Sequence, residues 1–206
     1  MNYNQIKQVA LSYSDREDSD TLNMMDNFLR IVESRMNRLL DVREMSQRSI
    51  MYAETDKEYY GLPKCFSGIR SIEVYNVDTP NSKTSLQYLS PEMMNAFIGS
   101  GGVQPKYTII ADQFRIYPAQ IDGCIFQIVY YGDLPALSDV TPENFMSIDY
   151  PDVYIFGLLI EINSYAKDPA TAQLWESRFM GAINDLKLAD QIDRWSGNSL
   201  EIRAIP

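Results

Sequence analysis

"DYPDVYIFGLLIEINSYAKDP" occupies residues 149–169 and holds the most apolar run of the chain, Val153 to Ile162. It can be read as a membrane span, a buried strand or one helix of a packed pair. A span needs roughly 20 apolar residues, and this run is shorter and interrupted by Glu161. Pro151 suits the first turn of a helix, and Asp168–Pro169 stops that helix and starts another. The stretch therefore predicts a helix over 151–166. Downstream, "PATAQLWESRFMGAINDLKLADQIDRW" (169–195) sets Ala172, Trp175, Phe179, Ala182, Ile183, Leu186 and Ile192 on one face, which predicts a second helix over 170–193. So short a connection makes the two helices antiparallel neighbours. The residues expected to carry helix or ring packing are Val153, Phe156, Gly157, Ile160, Trp175, Phe179, Gly181 and Ile183. A glycine costs about 1 kcal/mol inside a helix, so Gly157 and Gly181 imply close helix approach. The first helix is apolar nearly all round, with Asp152, Glu161 and Asn163 as exceptions. One partner cannot cover it; a long N-terminal helix or a neighbouring subunit must help.

That long helix is "TLNMMDNFLRIVESRMNRLLDVREMSQ", expected over about 21–47, with Leu22, Met25, Phe28, Leu29, Val32, Met36, Leu39 and Leu40 as one stripe. Its methionines serve a core, a subunit contact or an adaptable binding surface. Ahead of it, residues 3–13 form a short helix ending in "SYSDREDSD". The four carboxylates there, Asp15, Glu17, Asp18 and Asp20, lack the glycine of a calcium loop. Helix capping by Ser19 or Asp20 is the simpler reading.

From residue 60 the period changes to two. "LPKCFSGIRSIEVYN" gives a strand with Ile72 and Val74 on one face and Glu73 and Tyr75 on the other. "SPEMMNAFIGSGG" is a short helix capped by Ser90, with Pro91 first and glycines last. "KYTIIA" and "FRIYPA" are strands joined by an Asp112–Gln113 turn, and "CIFQIVYYG" is a third strand, apolar on both faces. The connector "LPALSDVTPENFMSIDYP" returns the chain to helix. The expected fold class is thus α+β: a helical bundle from the long N-terminal helix and the C-terminal hairpin, an inserted small antiparallel β unit, and an extended C-terminal tail. The expected boundaries are 1–58 and 140–195 for the helical domain, 59–139 for the β-rich unit and 196–206 for the arm.

Composition narrows the chemistry. A net charge of −10, from 28 acidic and 18 basic residues, repels phosphate and makes broad nucleic-acid binding a poor reading. Arg30, Arg35, Arg38, Arg43 and Arg48 form no single stripe. The chain has no histidine, which excludes Ser-His-Asp and Cys-His nucleophile systems. Cys65 and Cys124 are far apart and too few for a zinc site; they are expected as buried free thiols, with a disulfide as the alternative. "GSGGVQPK" (99–106) lacks the ending of a phosphate loop and precedes a strand, so it is a turn. Glu161 on its apolar helix is a candidate for a raised pKa and acid-base work, against the plainer reading that it pairs with an arginine of an adjacent helix or subunit. The 14 tyrosines lie in strand patterns without accompanying bases and fit packing and interface better than base stacking. The N-terminus has no signal-peptide pattern. No catalytic, metal-binding or cofactor-binding residue is expected, no cofactor, and no membrane segment.

The order of parts resembles the head-to-tail adaptor (connector, head-completion or neck) proteins of tailed bacteriophages. The resemblance rests on "YTIIADQFRIYPAQIDGCIFQIVYYGDLPALSD" (107–139) followed by the hairpin "YPDVYIFGLLIEINSYAKDPATAQLWESRFMGAINDL" (150–186) and a tail, "SGNSLEIRAIP" (196–206). It implies a non-enzymatic virion protein at the head–tail junction, made in the host cytoplasm. It implies a ring of twelve copies beneath the portal protein, with tail or nozzle proteins below and double-stranded DNA only as channel content. The tail alternates Leu200, Ile202 and Ile205 after Trp195, and the resemblance gives these four residues to the portal interface. The other reading is a binding module whose β insertion recognises a tail protein or a carbohydrate.

Overall fold

The switch from 3.6-residue to two-residue periodicity marks where one packing unit gives way to another. A computed structural model describes residues 1–16, 18–120 and 123–195; the tail residues Leu200, Ile202 and Ile205 lie outside the described residues. The chain divides into a first unit of residues 1–44 and 134–206 and a second of 45–133. Six helices and two small sheets make the fold α+β among the described residues.

The first unit is helical. α1 (Tyr3–Ser14) opens with a capping box, in which the Asn2 side chain accepts from Gln5 N–H and the Gln5 side chain accepts from Asn2 N–H. α2 (Ser19–Leu39) is capped by Asp18, whose carboxylate accepts from Thr21 N–H and Oγ1. The cap is thus one residue before Ser19 and two before Asp20, the two caps expected. α2 also ends at Leu39, well short of residue 47. Leu40 is buried in extended backbone, Asp41 is exposed and Val42 buried again, so the period switches at once. α4 (Phe145–Asp149), capped by Asn144, was not expected from the sequence; α5 (Pro151–Tyr165) and α6 (Pro169–Trp195) form the hairpin, with Asp168 accepting from Thr171 N–H at the start of α6.

α5 is the centre of this unit and packs against α1, α2, α4 and α6. Val153, Leu158, Leu159 and Ile162 are buried, and Phe179 and Ile183 of α6 are fully buried opposite them. The apolar excess of α5 is therefore covered within the chain, by helices on several sides, and needs no neighbouring subunit.

The second unit is a pair of sheets. β1 (Ser46–Tyr52), β8 (Cys124–Gly132), β3 (Phe66–Asn76) and β4 (Thr84–Ser85) form one antiparallel sheet in the order β1-β8-β3-β4. β2 (Tyr59–Gly61), β7 (Gln113–Tyr117), β6 (Lys106–Ile110) and β5 (Gln87–Tyr88) form the other in the order β2-β7-β6-β5. The short β5–β6 pair is parallel, so this sheet is mixed and not wholly antiparallel as expected. Alternate residues of both sheets build one core from Tyr60, Ile72, Val74, Phe114, Ile116, Phe126 and Ile128. Tyr60 stacks on Phe114 (5.6 Å) and meets Phe126 edge-on (5.0 Å). α3 (Pro91–Gly99) is capped by Ser90. The β6–β7 turn is Ala111–Asp112, one residue earlier than expected, with Ala111 at φ 54. Cys65 and Cys124 are free thiols, but Cys65 is exposed in the turn before β3, at φ 56, where burial was expected.

Candidate functional site

Side chains that the stripe of α2 does not predict hold the first unit's longest connector. Glu33, 4 % exposed, lies among Leu29, Val32 and Met36. Its Oε1 accepts Leu137 N–H at 2.7 Å and the Tyr154 hydroxyl at 3.3 Å. Asn144 Nδ2 donates to the Tyr154 oxygen and to the Pro135 carbonyl, each at 2.8 Å. One turn along α2, Asn37 Oδ1 accepts Leu134 N–H at 2.8 Å. These bonds satisfy backbone donors that a buried connector would otherwise leave unpaired, at about 1–3 kcal/mol each. Burial holds the Glu33 carboxyl above its ordinary range, opposed by the bonds from Leu137 and Tyr154. Burial likewise pushes the Tyr154 hydroxyl up. This buried network is a strut between α2, the connector and α5. The sequence held one sign of it: a lone acid inside an apolar helical stripe.

A second charged group lies between α2, α5 and α6. Arg35 grips Glu176 with both guanidinium nitrogens and lies 4.8 Å over the Phe179 ring. The bond to Arg35 holds Glu176 below the ordinary carboxylate range. Burial raises Glu161, with Arg35 lowering it and Glu176 raising it. The arginine expected near Glu161 is thus Arg35, but its ion pair is with Glu176.

One open groove of this unit, of about 470 Å³, lies between α5 and α6. Val153, Phe156, Ala182, Leu186 and Ala189 give it apolar walls, Gly181 lies on it, and Asp152, Arg178 and Asp185 stand at its edge. Trp175 stacks on Phe156 at 5.7 Å beside it, and Arg178 lies 4.8 Å over the Trp175 ring. A second groove near α1, of about 570 Å³, is lined by Leu11, Asp15 and Leu22 among others. Glu161 lines neither.

The structure scatters the sequence's site residues between inside and outside. Val153, Gly157, Ile160, Phe179 and Ile183 are buried, while Phe156 and Trp175 are half-buried. A Cβ on Gly157 would lie 2.5 Å from Val32 Cγ1 and 3.4 Å from Phe179 Cε2, so α5 and α2 come too close there for a side chain. At Gly181 a Cβ would meet nothing within 4 Å, so the expected close approach does not occur there within the chain. That glycine widens the groove. Ile192, expected on the buried face, is 60 % exposed because it belongs to the opposite stripe of α6. Trp195 ends α6, with its side chain outside the described residues.

Among the described residues no cluster of acidic, cysteine or histidine side chains is arranged to hold a metal ion, and no helix is long and apolar enough to cross a membrane. The arrangement is one of covered core and open faces. In comparison with known proteins, the model of the SU10 adaptor protein family matches residues 1–203. No curated protein matches the chain.

Proposed function

The chain belongs to the SU10 adaptor protein family, a phage head–tail adaptor family, and from that premise we propose how its two units share the work. As a member of that family it is a structural component of the virion with phage head and tail proteins as its partners. In the proposed arrangement the helical unit forms a homo-oligomeric ring of twelve copies on the portal protein. That ring lengthens the channel through which double-stranded DNA passes, and its far face receives tail or nozzle proteins. The observation that carries this reading is the extent of the match, 1–203, which spans both units. The β unit is then an integral part of the adaptor. The acidic chain, at −10, suits a channel wall that DNA passes without adhering.

We assign Trp195, Leu200, Ile202 and Ile205 to the portal interface on the family resemblance of the sequence. Deleting residues 196–206 tests that assignment. The truncated chain is expected to keep the helicity and melting temperature of the full chain and to lose co-sedimentation with purified portal. Undiminished co-sedimentation would move the portal interface elsewhere.

A second reading has its own observation. Tyr52, Tyr59 and Tyr88 of the β unit are 68 %, 44 % and 53 % exposed, and tyrosine supplies contact area with a polar tip. Tyr59 and Tyr88 lie on opposite edge strands of one sheet and Tyr52 on the other sheet, so each offers a separate aromatic contact to a tail protein or a carbohydrate. Replacing all three with serine is expected to weaken tail attachment while portal attachment persists.

A further inference from the structure

α6 has a face that the chain itself leaves open. Opposite the buried row of Ala172, Phe179, Ile183 and Leu186 run Leu174, Arg178, Gly181, Asp185, Leu188 and Ile192, spaced three and four residues apart. Leu174, Leu188 and Ile192 are 52 %, 57 % and 60 % exposed. Among the described residues, neither Arg178 nor Asp185 forms a salt bridge. They cannot pair with each other along the helix, where seven residues span about 10 Å.

We propose that this face pairs with the same face of a second copy of the chain, antiparallel, about a two-fold axis between Gly181 and Ala182. The charge pattern selects both the occupant and the direction. In a two-fold contact residue i meets residue j and j meets i. With the axis at 181/182, Arg178 of each copy, whose guanidinium lies over its own Trp175, faces Asp185 of the other, and the pair of chains gains two ion pairs. A parallel pairing in register would set Arg178 against Arg178 and Asp185 against Asp185, which repel. The same axis brings Leu174 of each copy opposite Ala189 of the other, a residue that lines the α5–α6 groove. Gly181 and Ala182 at the crossing point let the two backbones approach closely.

The stripe from Leu174 to Ile192 is about 27 Å long at 1.5 Å per residue. A contact of that size belongs with small, transient interfaces, so the dimer is weak and concentration-dependent. A closed two-fold pair cannot extend into a ring through the same face. It is therefore a resting form of the free protein, and it stands or falls apart from any ring built on a portal.

Sedimentation equilibrium of the full chain over a wide concentration range tests this. The wild-type chain is expected to interconvert between monomer and dimer. Arg178→Asp and Asp185→Arg are each expected to weaken the dimer by about tenfold or more. The double variant is expected to recover wild-type association, because the exchange restores both ion pairs. Circular dichroism checks that each variant keeps its helices. A wild-type chain that stays monomeric, or associates only beyond a dimer, overturns the proposal. So do single variants that dimerise like wild type, or a double variant that fails to recover.

Discussion

α5 is the more apolar helix of the C-terminal hairpin and α6 the more polar, yet α6 is the one that leaves aliphatic side chains in water. α5 packs on α1, α2, α4 and α6, and its excess of apolar surface is spent inside the chain. α6 buries Phe179, Ile183 and Leu186 and exposes Leu174, Leu188 and Ile192. The difference teaches that the apolarity of a helix reports how many neighbours it has in its own unit. In the proposed pairing, assembly uses the less apolar partner, through apolar residues repeating on its far side.

The contrast can be broken most forcefully at α6. Phe179→Ala removes a fully buried ring and is expected to cost about 3–5 kcal/mol, while Leu188→Ala on the far face changes stability by about 0.5 kcal/mol or less. Denaturant unfolding of both variants reads the gap, and equal losses would mean that α6 does not have two distinct faces.

The glycines sharpen the comparison at a smaller scale. Gly157→Ala places a Cβ against Val32 and is expected to destabilise by about 1–3 kcal/mol despite the better helix propensity. Gly181→Ala meets open space and is expected to stabilise by up to about 1 kcal/mol. Thermal melts that move in the same direction would contradict the different surroundings of the two positions.

Two carboxylates separate the struts by pH. Glu33 is held above its ordinary value of 4.5, so its contribution to stability is present below that value and lost as pH rises through the raised one. Glu176 is held below 4.5, so its contribution is present above that value and lost as pH falls. Glu33→Gln is therefore expected to flatten the decline in stability on the higher-pH side, while its amide oxygen still accepts Leu137 N–H. Glu176→Gln is expected to flatten the acid side, by about 1 kcal/mol or less because that pair is partly solvated. Urea midpoints measured well to either side of pH 4.5, the ordinary glutamate value, distinguish the two.

Much of the fold was legible because local pattern and tertiary partner agreed. Pro151, the apolar run and Asp168 fixed α5, and the alternation of Phe126, Ile128 and Tyr130 fixed β8. β1 was missed because "SQRSIMY" has no clean alternation; its state is decided by β8, paired with it Ser46 to Tyr131 through Tyr52 to Ile125. α4 was missed because five residues carry too little periodicity, and its capping Asn144 is recognisable only by its bonds. The glycines were legible as positions that needed a reason, but sequence could not tell a close approach at Gly157 from an open groove at Gly181. The packing residues of α5 and α6 were readable from spacing. The partners of Glu33 were not, because Leu137 and Tyr154 lie more than a hundred residues away along the chain.

The adaptor reading meets its most direct test in electron microscopy of purified portal mixed with the full chain. Portal particles are expected to gain a ring of added density with the portal's rotational symmetry, on one end only and coaxial with the channel. Portals that stay bare while the chain remains free in solution would contradict it.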